Sequence, residues 1–238
     1  MKEQKQPSLF SEAVAESYTA YQLSAMPDRE PEKPLVSFLP GVPADKRIAT
    51  SDREVLSKMI TACQGCSLQE SCTQKVLGTG STAADIMFIG EGPGKDEDLQ
   101  GVPFVGRAGQ LLDKILAAVD FARQEVYITN VVKCRPPGNR MPLPAEIKNC
   151  LPFLEAEIEL VKPRFIVCLG ALATQNVLSP KARITKVRGQ VFARGAISIM
   201  PVLHPAALLR NPDYKRPTWE DFKLLRDLYR QEQLSHSE

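Results

Sequence analysis

Three short stretches, IMFIG (86–90), EVYITNVV (125–132) and FIVCLG (165–170), carry apolar residues at consecutive positions and not at alternate ones. A strand with one wet face alternates, whereas a strand that is apolar throughout has both faces dry. Helical patterns stand between these runs. Leu111, Leu112, Ile115, Leu116 and Val119 share one face of a helix over 109–119. PAEIKNCLPFLEAEIELV (144–161) reads as a helix broken or kinked at Pro152, because proline lacks the N–H and crowds the preceding turn. Another helix starts at Ala171. Residues 190–195 and 196–203 read as two further strands, and only the second is strongly apolar. A last helix runs from Thr218 to about Gln231, with Thr218 and Asp221 as its capping box. Alternating β and α with apolar strands predicts an α/β protein, a parallel sheet with helices on both faces. In such sheets the site lies at the carboxyl ends of the strands. That rule selects 90–101, 129–140, the chain from Gly170, and His204–Pro205.

The first fifty residues differ. They hold 6 of the 19 Pro, one Gly, no Cys, and runs such as MPDREPEKP. A Pro-rich, charged stretch buries too little apolar surface to offset its ordering entropy, so 1–50 is expected to be a disordered tail and 51–238 the folded domain. Within the domain, DREVLSKMITAC places Val55, Leu56, Met59 and Ile60 on one helical face. MKEQKQPSLFSEAVAES has no apolar signal core, and no apolar run reaches membrane-spanning length, so a cytoplasmic protein with no membrane partner is expected. The formal charge of +2 neither requires nor excludes nucleic acid.

A cytosolic chain does not use six Cys as a disulfide framework; they are core thiols, catalytic groups or metal ligands. Cys63 and Cys66 form a C-x2-C in a loop after a helix, which disfavours a thioredoxin-type pair. With Cys134 and Cys150 they are four thiolates that suit an iron–sulfur cluster or zinc. Cys72 and Cys168 stand alone, and Cys168 within FIVCLG reads as a core thiol.

At the strand ends, GEGPGKDED (90–98) has glycines that permit close backbone approach, but no Walker lysine. Its acids Glu91, Asp96, Glu97 and Asp98 would repel a phosphate; they handle water or form a solvated turn. Asn130 interrupts a strand of Val, Ile and Tyr, so its amide either ties down a loop or reads a ligand. His204, one of two His, ends an apolar strand and is either structural or functional. Lys133, Arg135, Arg140, Arg183, Lys186, Arg188, Arg210, Lys215 and Arg216 could supply a phosphate-binding patch.

In this order, GEGPGKDEDLQGVPFVGRAGQLLDKIL (90–116), VYITNVVKCRPPGNRMPLPAEIKNC (126–150), FIVCLGALA (165–173) and HPAALLRNP (204–212) resemble the family 4, iron–sulfur uracil-DNA glycosylases. The resemblance covers about 55–230. It implies a three-layer α/β/α fold with a central four-stranded parallel sheet, and hydrolysis of the N-glycosidic bond of uracil in DNA. It places a structural [4Fe–4S] cluster on Cys63, Cys66, Cys134 and Cys150. A DNA-trapping subclass carries GEQPG and a His in the loop that here reads CRPPGNRMP, so ordinary turnover is implied.

By the same resemblance Phe104 stacks on the base, Asn130 reads the uracil edge, and Gly92 lies in the substrate loop. His204 donates to the uracil oxyanion and Glu91 sits near the attacking water. Glu97 and Asn139 form a coupled pair supporting that water. Leu208, Leu209 and Arg210 enter the duplex where the base left. Single- or double-stranded uracil DNA is the implied partner, and the enzyme is expected to be a monomer. In the tail, Gln6, Leu9 and Phe10 resemble a bacterial sliding-clamp binding pentapeptide. The rival function is a metal-cluster DNA-binding or redox module without glycosylase activity.

Overall fold

The structure, a computed structural model, describes residues 39–235. The tail motif of Gln6, Leu9 and Phe10 lies outside the described residues. Six strands form one sheet: β1 (Thr79–Gly80), β2 (Ile86–Gly90), β3 (Tyr127–Asn130), β4 (Phe165–Leu169), β5 (Phe192–Arg194) and β6 (Ile197–Val202). Their order is β1-β3-β2-β4-β6-β5. The inner four are parallel, and β1 and β5 pair antiparallel at the two edges. The expected four-stranded parallel sheet is therefore the centre of a six-stranded mixed one. The edge strands are short and only half-buried, so they lack the apolar runs that announce the inner strands.

Nine α-helices complete the described fold: α1 (Arg53–Thr61), α2 (Leu68–Ser71), α3 (Lys95–Gln100), α4 (Arg107–Ala118), α5 (Pro144–Val161), α6 (Ala171–Val177), α7 (Ile184–Val187), α8 (Pro205–Arg210) and α9 (Lys215–Ser235). Two cores lie on opposite faces of the sheet. Met87 and Ile89 of β2, with Ile166 and Cys168 of β4, pack with Leu154 and Ile158 of α5 and Leu172 of α6. Ile86 and Phe88, with Phe165, Val167 and Leu169, pack with Leu112 and Leu116 of α4 and Phe222 and Leu225 of α9. Odd and even positions of each inner strand thus enter different cores, which is why both are apolar. Each such Leu, Ile or Phe contributes about 1.5–3 kcal/mol on burial.

Four expectations change. The packed chain begins before residue 51, because Leu39 and Val42 are buried in the first core. Helix α1 buries only Leu56 and Ile60; Val55 is 44% and Met59 41% exposed. Helix α5 runs from Pro144 to Val161 without a break at Pro152. Its buried face of Leu151, Leu154, Ile158 and Val161 outweighs the one hydrogen bond that proline removes. Helix α9 starts at Lys215, three residues before Thr218. The Thr218 hydroxyl donates back to the Tyr214 carbonyl at 2.8 Å, and Asp221 accepts a two-pronged hydrogen bond from Arg188 at 3.0 and 2.6 Å, so neither residue caps the helix.

Candidate active site and cysteine cleft

The strand register sets the site. Gly90 at the end of β2 pairs with Asn130 at the end of β3, and Leu169 of β4 pairs with Val202 of β6. The pairing continues past β2, where Val131 and Val132 donate backbone N–H groups to the Gly90 and Glu91 carbonyls at 2.9 and 3.1 Å. All four segments selected at the strand ends therefore meet along one carboxyl edge.

Gly90 is where this edge closes. A Cβ there would lie 2.4 Å from Asn130 Oδ1 and 2.5 Å from Phe104 Cζ. Only a residue without a side chain lets the Asn130 amide and the Phe104 ring approach each other over the strand end. Gly92 is equally confined, since a Cβ would lie 2.7 Å from Val132 Cγ2. Asn130 is buried, and among the described residues its Oδ1 has no hydrogen-bond partner. A buried, unpaired amide oxygen costs about 1–3 kcal/mol in a folded protein.

Phe104 is buried with φ +55°, in the left-handed region that a residue with a Cβ enters at a cost of about 1–2 kcal/mol. Three hydrogen bonds around it hold that conformation. Glu97 Oε1 accepts from the Val105 and Gly106 N–H groups at 3.0 and 2.8 Å, and Arg123 donates to the Pro103 carbonyl at 2.6 Å. Behind it α4 comes so near that a Cβ on Gly109 would lie 1.9 Å from the Phe104 carbonyl oxygen. The ring then lies against His204, centroids 5.6 Å apart at 30°.

His204 is the N-cap of α8, and its Nδ1 accepts the Ala206 N–H at 3.1 Å. Nδ1 must therefore be unprotonated, which leaves the neutral ring its proton on Nε2. Burial, reinforced by the nearby Arg210 guanidinium, pushes the pKa of His204 down to about 4. Burial pushes the half-buried Glu91 carboxyl up, and Arg210 opposes that shift.

Several expected roles are redistributed. The Glu97 carboxylate is occupied as a loop staple, since its Oε2 also accepts from Gly94 N–H at 3.1 Å. Asn139 is exposed at φ +57° and accepts from Arg135 Nε at 2.7 Å; among the described residues no hydrogen bond joins it to Glu97. Asp98 is buried and accepts from the Thr73 backbone and hydroxyl at 2.9 and 2.7 Å, so it is neither solvated nor free for water chemistry. Leu208 is 2% exposed and belongs to the interior, while Leu209 at 40% and Arg210 face outward. Lys133 is no surface phosphate contact: it is buried and paired with Glu157 at 2.5 Å. Arg140 and Arg188 are paired with Glu146 and Asp221. Sequence reasoning missed Lys133 and Glu157 as a pair. The available signal was a charge on the apolar face of α5, three residues from Leu154 and one from Ile158.

The four expected thiols, Cys63, Cys66, Cys134 and Cys150, line one cleft with Lys75, Asn149 and Phe153. Backbone N–H groups already point at the sulfurs: Lys133 N–H donates to Cys150 Sγ at 3.3 Å and Gly65 N–H to Cys63 Sγ at 3.4 Å. Burial pushes the Cys150 thiol up to about 12 and raises Cys66 and Cys134 as well. Cys72 is not alone; it donates to the Gln69 carbonyl at 3.8 Å, and its proximity raises the Cys134 thiol further. Cys168 is the core thiol expected. Among the described residues, no three His, Cys, Asp or Glu side chains converge as a single ion would need. Four cysteine sulfurs on one protein-lined cleft, two of them met by backbone N–H groups, fit an iron–sulfur cluster by the chemistry of the donor set.

Residues 77–223 match the Uracil DNA glycosylase superfamily, which defines the class of protein this fold and site represent. The Type-4 uracil-DNA glycosylase of Thermotoga maritima is 43% identical over 183 residues, covering 75% of this chain and 95% of the relative. That of Archaeoglobus fulgidus is 41% identical over 177 residues, covering 71% and 89%. A Type-5 uracil-DNA glycosylase of Thermus thermophilus is 28% identical over 160 residues, 54% of this chain and 73% of the relative. The chain belongs to the type-4 uracil-DNA glycosylases, enzymes that hydrolyse the N-glycosyl bond of uracil in DNA during base excision repair. Membership sets aside a cluster module without glycosylase activity. Among the described residues no helix is long and apolar enough to cross a membrane.

The state of His204 is testable by nitrogen-15 NMR. The His204 imidazole is expected to titrate near pH 4 with Nε2 protonated above it; titration of this ring near the ordinary 6.5 contradicts the geometry. The folded pKa lies below the unfolded one, so the unfolded chain binds this proton first. His204 therefore supports stability fully above about pH 6.5, and that support is lost as pH falls toward 4.

Proposed function

We propose that Phe104, Asn130 and His204 receive a uracil turned out of DNA at the carboxyl edge of the sheet, and that Glu91 serves the water that replaces it. The observation that carries this reading is the buried, unpartnered Oδ1 of Asn130 beside Phe104. Extrusion of the base costs a few kcal/mol, which single strands and mismatches reduce. Phe104 offers its ring to the base π-face, which gives affinity for any base. Asn130 supplies selection: Oδ1 accepts from uracil N3–H and the amide N–H donates to O4. Cytosine reverses both groups and would leave two unpaired in a dry site, at about 1–3 kcal/mol each.

In the reaction the C1′–N1 bond breaks with its electron pair passing to uracil, and water oxygen bonds to C1′. Negative charge gathers on uracil O2, where the neutral His204 Nε2–H donates. A preorganised donor of this kind contributes about 2.7–4 kcal/mol. Glu91, made more basic by burial, orients the water, accepts its proton and stabilises the positive sugar. Glu97 holds Phe104 and the 94–106 loop. Asn139 shapes the 134–140 loop through Arg135, so the two support the site from separate loops. Gly92 keeps the loop against Val132. Leu209 and Arg210 enter the gap left by the base, with Leu208 as their buried anchor.

Cys63, Cys66, Cys134 and Cys150 would hold a [4Fe–4S] cluster whose work is to cross-link the segments around 63–66, 134 and 150. It supplies structure and no step of the hydrolysis. We place the catalytic unit in 51–238 with the buried Leu39 and Val42 added, acting as a monomer in the cytoplasm on nucleoid DNA, single- or double-stranded.

A uracil-containing oligonucleotide, treated with protein and then alkali, is expected to break at uracil. His204→Ala and Asn130→Ala should each lower the rate by about 10²–10³. The protein as isolated should be brown, and Cys150→Ser should lose the visible band. A cluster-loaded protein inert on uracil DNA would sink the assignment. The pentapeptide at Gln6, Leu9 and Phe10 supports docking of the tail to a bacterial sliding clamp. Clamp binding by the full chain, abolished in Leu9→Ala/Phe10→Ala, is the expected result; no binding by the intact chain refutes it.

A further inference from the structure

Beneath the Asn130 end of β3 lies a pair of opposite charges almost wholly removed from water. Lys133 Nζ and Glu157 Oε2 are 2.5 Å apart, with side chains 2% and 1% exposed. Lys133 Nζ also donates to Thr129 Oγ1 at 2.8 Å and to the Asn130 carbonyl at 2.7 Å, so each of the three ammonium protons has an acceptor. Glu157 Oε2 accepts from the Thr129 hydroxyl at 2.8 Å. Its Oε1 accepts from Gly78 N–H at 3.0 Å and Tyr127 OH at 3.4 Å. The network is closed.

A buried ion pair is poor evidence for stability, since an apolar pair of equal volume often serves the fold as well. What this pair does, and an apolar pair could not, is grip one particular carbonyl. The peptide plane after Asn130 is pinned from below by Lys133. From the side, the Val131 N–H of the same plane donates to the Gly90 carbonyl at 2.9 Å. With the plane fixed at both its oxygen and its nitrogen, the Asn130 backbone from which the side chain projects is held in place. Lys133 is itself held at both main-chain groups, its N–H on Cys150 Sγ and its carbonyl accepting from Val76 N–H at 2.7 Å.

We infer that Lys133 and Glu157 are positioning residues for uracil selection, holding Asn130 so that its unpartnered amide meets the base edge. The inference rests on the base-reading role proposed for Asn130. Both side chains are buried away from the surface that DNA could reach, so the effect belongs to excision and not to binding.

The test is a double-mutant cycle read by single-turnover excision at saturating enzyme, with DNA affinity, melting temperature and the visible band measured beside it. Glu157→Gln is expected to lower the excision rate at least about tenfold, as sub-ångström to ångström displacement of a site group does, with DNA affinity and the visible band unchanged. In an Asn130→Ala background, Glu157→Gln should add nothing. An effect that multiplies in full on Asn130→Ala, or that appears equally in DNA affinity, overturns the inference while leaving the reading of Asn130 intact. An Asn130→Ala variant as active as the parent refutes that reading itself, and the inference with it. Should Glu157→Gln not fold, Lys133→Met/Glu157→Leu removes both charges at similar volume. It is expected to fold and still to excise slowly; full activity would overturn the inference.

Discussion

At Gly90 the central strand ends without a side chain, and a Cβ there would strike both the Asn130 amide and the Phe104 ring. Everything at the mouth of the sheet follows from that space. The Asn130 amide and the Phe104 ring share that space only because Gly90 leaves it open. Phe104 reaches it in a left-handed backbone conformation, and that conformation persists because Glu97, Arg123 and the close approach of Gly109 over-determine it. His204, stacked on the same ring, inherits its position from both. Two costs are accepted at one place, an orphaned oxygen and a strained residue, and the proposed function gives both a ligand-facing use.

The charges of the domain tell a parallel story. With a formal charge of +2, DNA binding has to come from placement. Three of the nine basic residues considered for a phosphate patch are spent on structure, Lys133 on Glu157, Arg140 on Glu146 and Arg188 on Asp221, as are two acids, Glu97 on a loop and Asp98 on Thr73. The proposed recognition of DNA therefore depends on the remaining candidates, Arg135, Arg183, Lys186, Arg210, Lys215 and Arg216. The Arg210 guanidinium also tunes the proposed chemistry, since it helps keep His204 neutral and opposes the rise of Glu91.

The inner sheet and the meeting of four strand-end segments were legible in the sequence, because two-sided burial writes itself as continuous apolar runs. The motifs around 90–116 and 204–212 carried the family. What was not legible depended on three-dimensional partners. Lys133 reads as a surface cation until Glu157 is seen opposite it. Glu97 reads as a reacting carboxylate until three backbone N–H groups are found on it. Leu208 and Leu209 are indistinguishable as letters, yet the turn of α8 buries one and exposes the other. Thr218 and Asp221 satisfy a capping pattern by spacing alone, but the helix had already begun at Lys215. Leu39 and Val42 were hidden by the Pro-rich composition around them.

In the proposed reading the Asn130 amide, with its unpaired Oδ1, is what separates uracil from cytosine. Its most direct measurement is the ratio of uracil to cytosine excision rates in Asn130→Asp against the parent. A carboxylate repels uracil O4 and accepts from the cytosine amino group. The ratio is expected to fall by at least about tenfold, the worth of one mispaired polar group. A variant that is slower on uracil but keeps the parent's ratio would contradict it.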